Sequence, residues 1–291
     1  MKDYVVRAIA ADATVRAFGA STLNTVQTAM KIHQLSPASA AALGRALTAT
    51  ALMTKMLENE SDKLTIQIRG DGPVNGIVAV ADTRDAVRGY VGNNQVPMFL
   101  KSNGKIDMSK VTGENGFVNV VKDIGLKEPY AGYVDLVSGE IADDLASYFV
   151  ISEQIPTAFS LGETLDNNGA FTSSGGYIIQ LMPGASEETL SLIEQKILTY
   201  PPVSELLSGG DTIEDILRMI LGSLDMKIIE TSPVEYRCNC SRYRMETNIL
   251  ALGREEIMDI VQNQEVVETQ CHFCNNKYEF TKDDLLGLMK H

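Results

Sequence analysis

The sequence predicts an α+β (mixed α/β) fold in three parts: an N-terminal domain over residues 1–183, a helical linker over 184–231, and a small C-terminal zinc-binding domain over 232–291. Three observations lead there. Strand-like alternation and helix-like runs intermix through the first part without a βαβ repeat, an amphipathic helical pattern follows, and all four cysteines fall after position 237. At ~150 residues per domain, 291 residues make room for about two domains. Hydrophobic residues make up 44% and aromatics 6%, with no Trp, so a sizeable and mostly aliphatic core is expected.

The elements follow in order. Asp3, Arg7, Asp12 and Arg16 interrupt any apolar run at the start, so no secretory signal core is expected there. Ser36-Pro37 is a helix start, with Ser at the N-cap and Pro at the first helical position, and the Ala- and Leu-rich run to Leu57 carries that helix. Lys63–Arg69 alternates apolar and polar residues as a half-buried strand does. After the Asp71-Gly72-Pro73 turn, Val74–Ala81 and Ala86–Val91 read as further strands, as does Gly175–Met182 before Pro183-Gly184.

In the linker, Leu190, Ile193 and Ile197 mark one helix, which Pro201-Pro202 stops. Asp211 with Glu214 resembles a capping box, and Ile213, Ile216, Leu217, Ile220 and Leu221 form an i, i+3, i+4, i+7, i+8 stripe. Two short amphipathic helices cannot stand alone in water and must lie on another surface. Periodicity alone favours an ordinary helical hairpin over a segment that detaches conditionally. In the last part, opened by Ser232-Pro233, Gly253–Gln262 reads as a helix, and Thr281 with Asp284 caps a final helix through Met289. Sixty residues with so few large apolar groups need a staple to fold.

Cys238-Asn239-Cys240 and Cys271-His272-Phe273-Cys274 supply that staple. Two such clips bring four thiolates to one tetrahedral ion, and soft sulfur ligands favour zinc over magnesium or calcium. Iron is the alternative metal, and free core cysteines the alternative to any metal. His272, a possible competing ligand, is read as facing solvent or supporting a ligand from behind rather than binding the metal, His33 as a structural residue of a helix, and His291 as carrying no signal.

Charge narrows the function. A formal net charge of −13 argues against a nucleic-acid partner held through phosphates and against an anionic membrane surface. Residues 232–291 carry seven Lys or Arg against ten Asp or Glu, so no basic stripe supports a nucleic-acid-binding ribbon. No apolar run reaches the ~18 residues of a membrane span, and a cytoplasmic setting with reduced thiols is expected. No GxSxG, HExxH or Walker A motif occurs, and Gly70-Asp71-Gly72 lacks the third glycine of a dinucleotide fingerprint and reads as a turn. Asp143-Asp144 and Glu187-Glu188 read as solvated first-turn carboxylates. The sequence is not expected to be an enzyme. The rival readings are a thiol-disulfide oxidoreductase built on the CxxC and a static zinc-ribbon interaction module.

The CxC…CxxC order, Ser241 after the second cysteine, and the closing CHFC-NNKYEF resemble the heat shock protein 33 family, the redox-regulated holdase chaperones of bacteria. Tyr148–Pro156 (YFVISEQIP), Gly175–Pro183 (GGYIIQLMP) and Ile66–Gly72 (IQIRGDG) are similar to that family's N-terminal blocks, so the resemblance covers essentially the whole chain. It implies a reduced form that holds one zinc through Cys238, Cys240, Cys271 and Cys274 and is inactive as a chaperone. It also implies that peroxide or hypochlorous acid, with unfolding stress, joins Cys238 with Cys240 and Cys271 with Cys274 and releases the zinc. The zinc domain and the linker would then unfold, and a homodimer would hold unfolding client proteins without ATP. On that resemblance the linker becomes a conditional switch rather than a fixed hairpin.

Overall fold

The computed structural model describes residues 2–83 and 85–289, with the side chain of Thr83 outside the description. The chain divides into two compact units, Met1–Arg237 and Cys238–His291. The first begins with Tyr4–Ala10 (β1), Val15–Ser21 (β2), Leu23–His33 (α1), Pro37–Thr54 (α2), Lys63–Gly70 (β3), Ile77–Thr83 (β4) and Ala86–Val91 (β5). It continues through Met108–Thr112 (α3), Gly116–Asp123 (β6), Tyr130–Asp135 (β7), Ile141–Tyr148 (α4), a π-helical turn at Phe149–Glu153, Thr157–Leu165 (β8) and Phe171–Leu181 (β9). Glu187–Thr199 (α5), Val203–Gly209 (α6), Ile213–Leu221 (α7), Lys227–Pro233 (β10) and Glu235–Tyr236 (β11) complete it.

Two sheets result. One is antiparallel throughout, in the order β10-β1-β2-β9-β8. The other runs β11-β5-β4-β3-β6-β7, antiparallel except where β11 lies parallel to β5. Helix α2 touches β3, β4 and β5 of one sheet and β2, β8 and β9 of the other. Its sequence explains the position. Apart from Pro37 and Arg45, every residue of this Ala-, Thr- and Leu-rich helix is buried, as a helix without a polar face must be. The Ser36 side chain accepts from Ser39 N, so the cap read from Ser36-Pro37 forms, and the helix closes at Thr54. Arg45 enters the core because it is paired on both sides, with Glu140 at 2.7 Å and Glu163 at 3.1 Å. Asp71 in the Gly70-Asp71-Gly72 turn accepts from the amides of Glu114 and Asn115, tying β3 to the loop before β6.

The three helices over 187–221 cover the outer face of the five-stranded sheet. All five stripe residues of α7 are buried against a floor of Val6, Ala8, Val15, Ala17, Tyr177 and Ile179. Gly19 makes room for them: a Cβ there would lie 2.5 Å from Ile213 Cγ1. The capping box of α7 is Thr212 with Asp215, not Asp211 with Glu214. Thr212 is the extended residue immediately before the first helical turn, and Glu214 instead accepts from Tyr4 Oη at 2.7 Å. Helix α6 starts directly after the Pro pair that ends α5. Asp143 and Asp144 do lie in the first turn of α4, but Asp144 is buried, its Oδ1 accepting from the amides of Val137, Ser138 and Gly139. Ser232 and Pro233, read as opening the third part, end β10 opposite Val5 and Tyr4 of β1.

The second unit contains Arg242–Leu250 (α8), Arg254–Asn263 (α9), the hairpin Val266–Gln270 (β12) and Lys277–Thr281 (β13), and Lys282–Leu288 (α10). The capping box of Thr281 and Asp284 forms as read. Its core is Met245, Ile249, Ile257, Val261, Phe280 and Leu285, with Arg242 stacked over Phe280 at 4.4 Å.

Candidate metal centre

The four cysteines reach one point from two directions. Cys238 and Cys240 lie outside helix and strand, and Ser241 directly after them caps α8 by accepting from Arg244 N at 3.3 Å. Cys271 and Cys274 lie in the loop between β12 and β13. Cys271 N donates to Asn276 O at 2.9 Å and Asn275 N to Cys271 O at 2.8 Å, with Asn275 in the left-handed region at φ 60°. That tight reversal turns both sulfurs to the same side.

All four Sγ atoms lie within 4.8 Å of one another. Cys238 is 3.7 Å from Cys271, and Cys240 is 3.3 Å from Cys274. A tetrahedral ion with Zn–S bonds of ~2.3 Å would separate its sulfurs by about 3.8 Å. The donor set, four soft sulfurs at nearly that spacing, fits zinc. Among the described residues this is the one cluster of three or more His, Cys, Asp or Glu side chains placed to share a metal ion. The cysteines are free thiols, Cys271 buried and the others half-buried.

Electrostatics point the same way. With only protein groups around them, burial pushes the Cys238 thiol up to about 11 and raises Cys274 as well. Cys240 moves down: burial works against it, but hydrogen bonding by the Tyr278 hydroxyl and the neighbouring cysteines prevails. Four thiolates this close repel each other, so holding all four ionised at neutral pH takes a cation among them.

The histidines stand apart. His272 is exposed and outside the sulfur cluster. His33 is buried in α1, with Nε2 2.9 Å from Tyr236 Oη. His291 lies outside the described residues. Sequence reasoning missed Tyr278, whose hydroxyl stands 3.1 Å from Cys240 Sγ. The alternation of β13, which turns Tyr278 and Phe280 inward and Lys277 and Glu279 outward, is the signal that identifies it. No described helix is long and apolar enough to cross a membrane.

Comparisons with known proteins agree with this construction. A profile of the family described as Hsp33 protein matches residues 3–281. The chain is 52% identical over 290 residues to the 33 kDa chaperonin of Acetivibrio thermocellus, covering 100% of this chain and 98% of that one. It is 44% identical over 286 residues to the 33 kDa chaperonin of Bacillus subtilis, covering 98% of each. The crystal structure of the 33 kDa chaperonin (heat shock protein 33 homolog) from Thermotoga maritima matches with a TM-score of 0.89 at 34% identity, over 100% of this chain and 98% of that one. With sequence and fold shared from end to end, the chain belongs to the Hsp33 family.

Proposed function

We propose that this protein is an ATP-independent holdase chaperone of the cytoplasm whose activity is switched by the oxidation of its four cysteines. One observation carries the reading: four thiols converge within 4.8 Å in a unit whose apolar core, among the described residues, has six buried side chains. A unit that small depends on its cross-link. Zinc, when bound, supplies that cross-link, a contribution of ~10–16 kcal/mol in small zinc modules. Cys238, Cys240, Cys271 and Cys274 are its ligands, one ion per chain in the reduced form.

Oxidation removes the ligands. Each pair of thiolates gives two electrons to a peroxide, forming one S–S bond and two hydroxide ions. The local pairs, Cys238 with Cys240 and Cys271 with Cys274, leave the segment free to unfold. Links across 30 or more residues would instead restrict its unfolded state. In this proposal the functional segments are the core at 1–183, the linker at 184–231 and the switch at 232–291. Unfolding of the switch loosens the linker. Ile213, Ile216, Leu217, Ile220 and Leu221 then leave the sheet, and both apolar surfaces become available to unfolding client proteins, in a homodimer. The CxxC argues against an oxidoreductase: it occupies a hairpin loop rather than the helix N-terminus that lowers the pKa of such thiols.

The test is light scattering from a thermally unfolding client protein. Peroxide-treated protein suppresses aggregation at near-stoichiometric amounts, and reduced zinc-loaded protein does not. Equal suppression by both forms would refute the switch.

A further inference from the structure

We propose that the Tyr278 hydroxyl governs how fast Cys240 is oxidised, acting as a brake on the Cys238–Cys240 disulfide. This rests on the reading of the four cysteines as a metal centre opened by oxidation.

The ring of Tyr278 is held from two sides. Its backbone pairs with Thr269 across the hairpin, and its side chain packs against the unit's apolar core. The hydroxyl therefore meets Cys240 Sγ, 38 residues away in sequence, from a fixed position at 3.1 Å. A cysteine serving as a thiolate ligand has no proton, so in the reduced metal-bound form the hydroxyl is the donor. An O–H···S⁻ bond draws negative charge from the sulfur and must be broken or weakened before that sulfur's electron pair attacks anything. Cys238 and Cys274 are approached by the backbone amides of Cys240 and Asn276. Tyr278 is a side-chain donor that one substitution removes.

The chemistry makes Cys240 a nucleophile by either route. If Cys240 reacts first, its thiolate attacks a peroxide oxygen and the O–O bond breaks. A sulfenic acid and a hydroxide ion form, and the Cys238 thiolate then attacks the sulfenic sulfur and expels a second hydroxide. If Cys238 becomes the sulfenic acid, the Cys240 thiolate makes that second attack. Two thiolates and one peroxide give one disulfide and two hydroxides in both cases, and both need the sulfur that Tyr278 holds.

The experiment uses full-length, reduced, zinc-loaded wild type and Tyr278→Phe, treated with hydrogen peroxide and quenched with isotope-coded alkylating reagents. Mass spectrometry reads the initial oxidation rate at each cysteine. Tyr278→Phe keeps the ring and deletes one oxygen. A charge-assisted bond relieved in part at the transition state makes Cys240 oxidise roughly 3–10-fold faster relative to Cys271. An unchanged ratio, or all four cysteines accelerating together as a loosened unit would, overturns the proposal. Should Tyr278→Phe fail to hold zinc, 3-fluorotyrosine placed at 278 keeps the shape and strengthens the donor. Cys240 oxidation then slows, and no change there overturns the proposal. Wild type that never forms the Cys238–Cys240 bond would instead sink the underlying switch, an outcome these rates distinguish.

Discussion

At the scale of single residues, the four cysteines converge, all sulfurs within 4.8 Å of one another. Cys271→Ser leaves three thiolates and an open coordination position, so the purified reduced variant loses most of its zinc by elemental analysis. Full occupancy in that variant would contradict the four-thiolate site. Protons compete for the same sulfurs. Because burial pushes the metal-free Cys238 thiol up to about 11, that thiol is protonated at neutral pH and must release its proton to bind. Zinc affinity of the reduced apoprotein therefore rises with pH and falls on acidification, and titrations at several pH values check it. A pH-independent affinity would mean the thiols are not the ligands. Away from the centre, Arg45→Ala strands Glu163 without its buried partner and leaves Glu140 with Lys101 alone. It is expected to cost about 3–5 kcal/mol of stability in denaturant unfolding. The CxC and CxxC were legible because ligand spacing is local. Tyr278 was not, because its partner lies 38 residues away and only the fold joins them.

At the scale of elements, α7 is the part on which the proposed switch turns. Its five-residue stripe was legible in full, since an amphipathic helix displays its buried face at fixed spacing. The surface beneath it was not, because β1, β2 and β9 come from opposite ends of the first 181 residues. Helix α6 was missed because its seven residues, which start after a Pro pair and end on the first Gly of a Gly pair, hold too few turns to show a period. Strands β10 and β11 were missed because β10 is a mostly exposed edge strand and β11 has two residues, so neither carries a strong alternation. Replacing Ile216 and Leu217 with polar residues removes buried side chains worth ~2–5 kcal/mol each, more than a nine-residue helix recovers elsewhere. Such a variant is expected to show a protease-accessible linker and chaperone activity without oxidant. Gly19→Val reaches the same end from the sheet side by pressing on Ile213. A folded variant with an open linker and no activity would separate linker release from function.

At the scale of the whole molecule, the two units have unequal means of staying folded. The first has two sheets closed around a buried helix; the second has, among the described residues, six buried core side chains and a site for a metal. In the proposed switch, oxidation that removes the metal's ligands acts first on the weaker unit, and the larger unit gives up only the helices over 187–221 from its outer sheet face while the helix between its sheets stays buried. Which cysteines join decides whether this holds. Across the site, Cys238 lies 3.7 Å from Cys271 and Cys240 lies 3.3 Å from Cys274, so cross-links between the two clips are sterically open. Disulfide mapping by mass spectrometry on oxidised, chaperone-active protein is the direct test. The expected result is Cys238 joined to Cys240 and Cys271 joined to Cys274. Cross-links such as Cys238 with Cys271 in the active form would staple the unit instead of freeing it, and would contradict activation by unfolding.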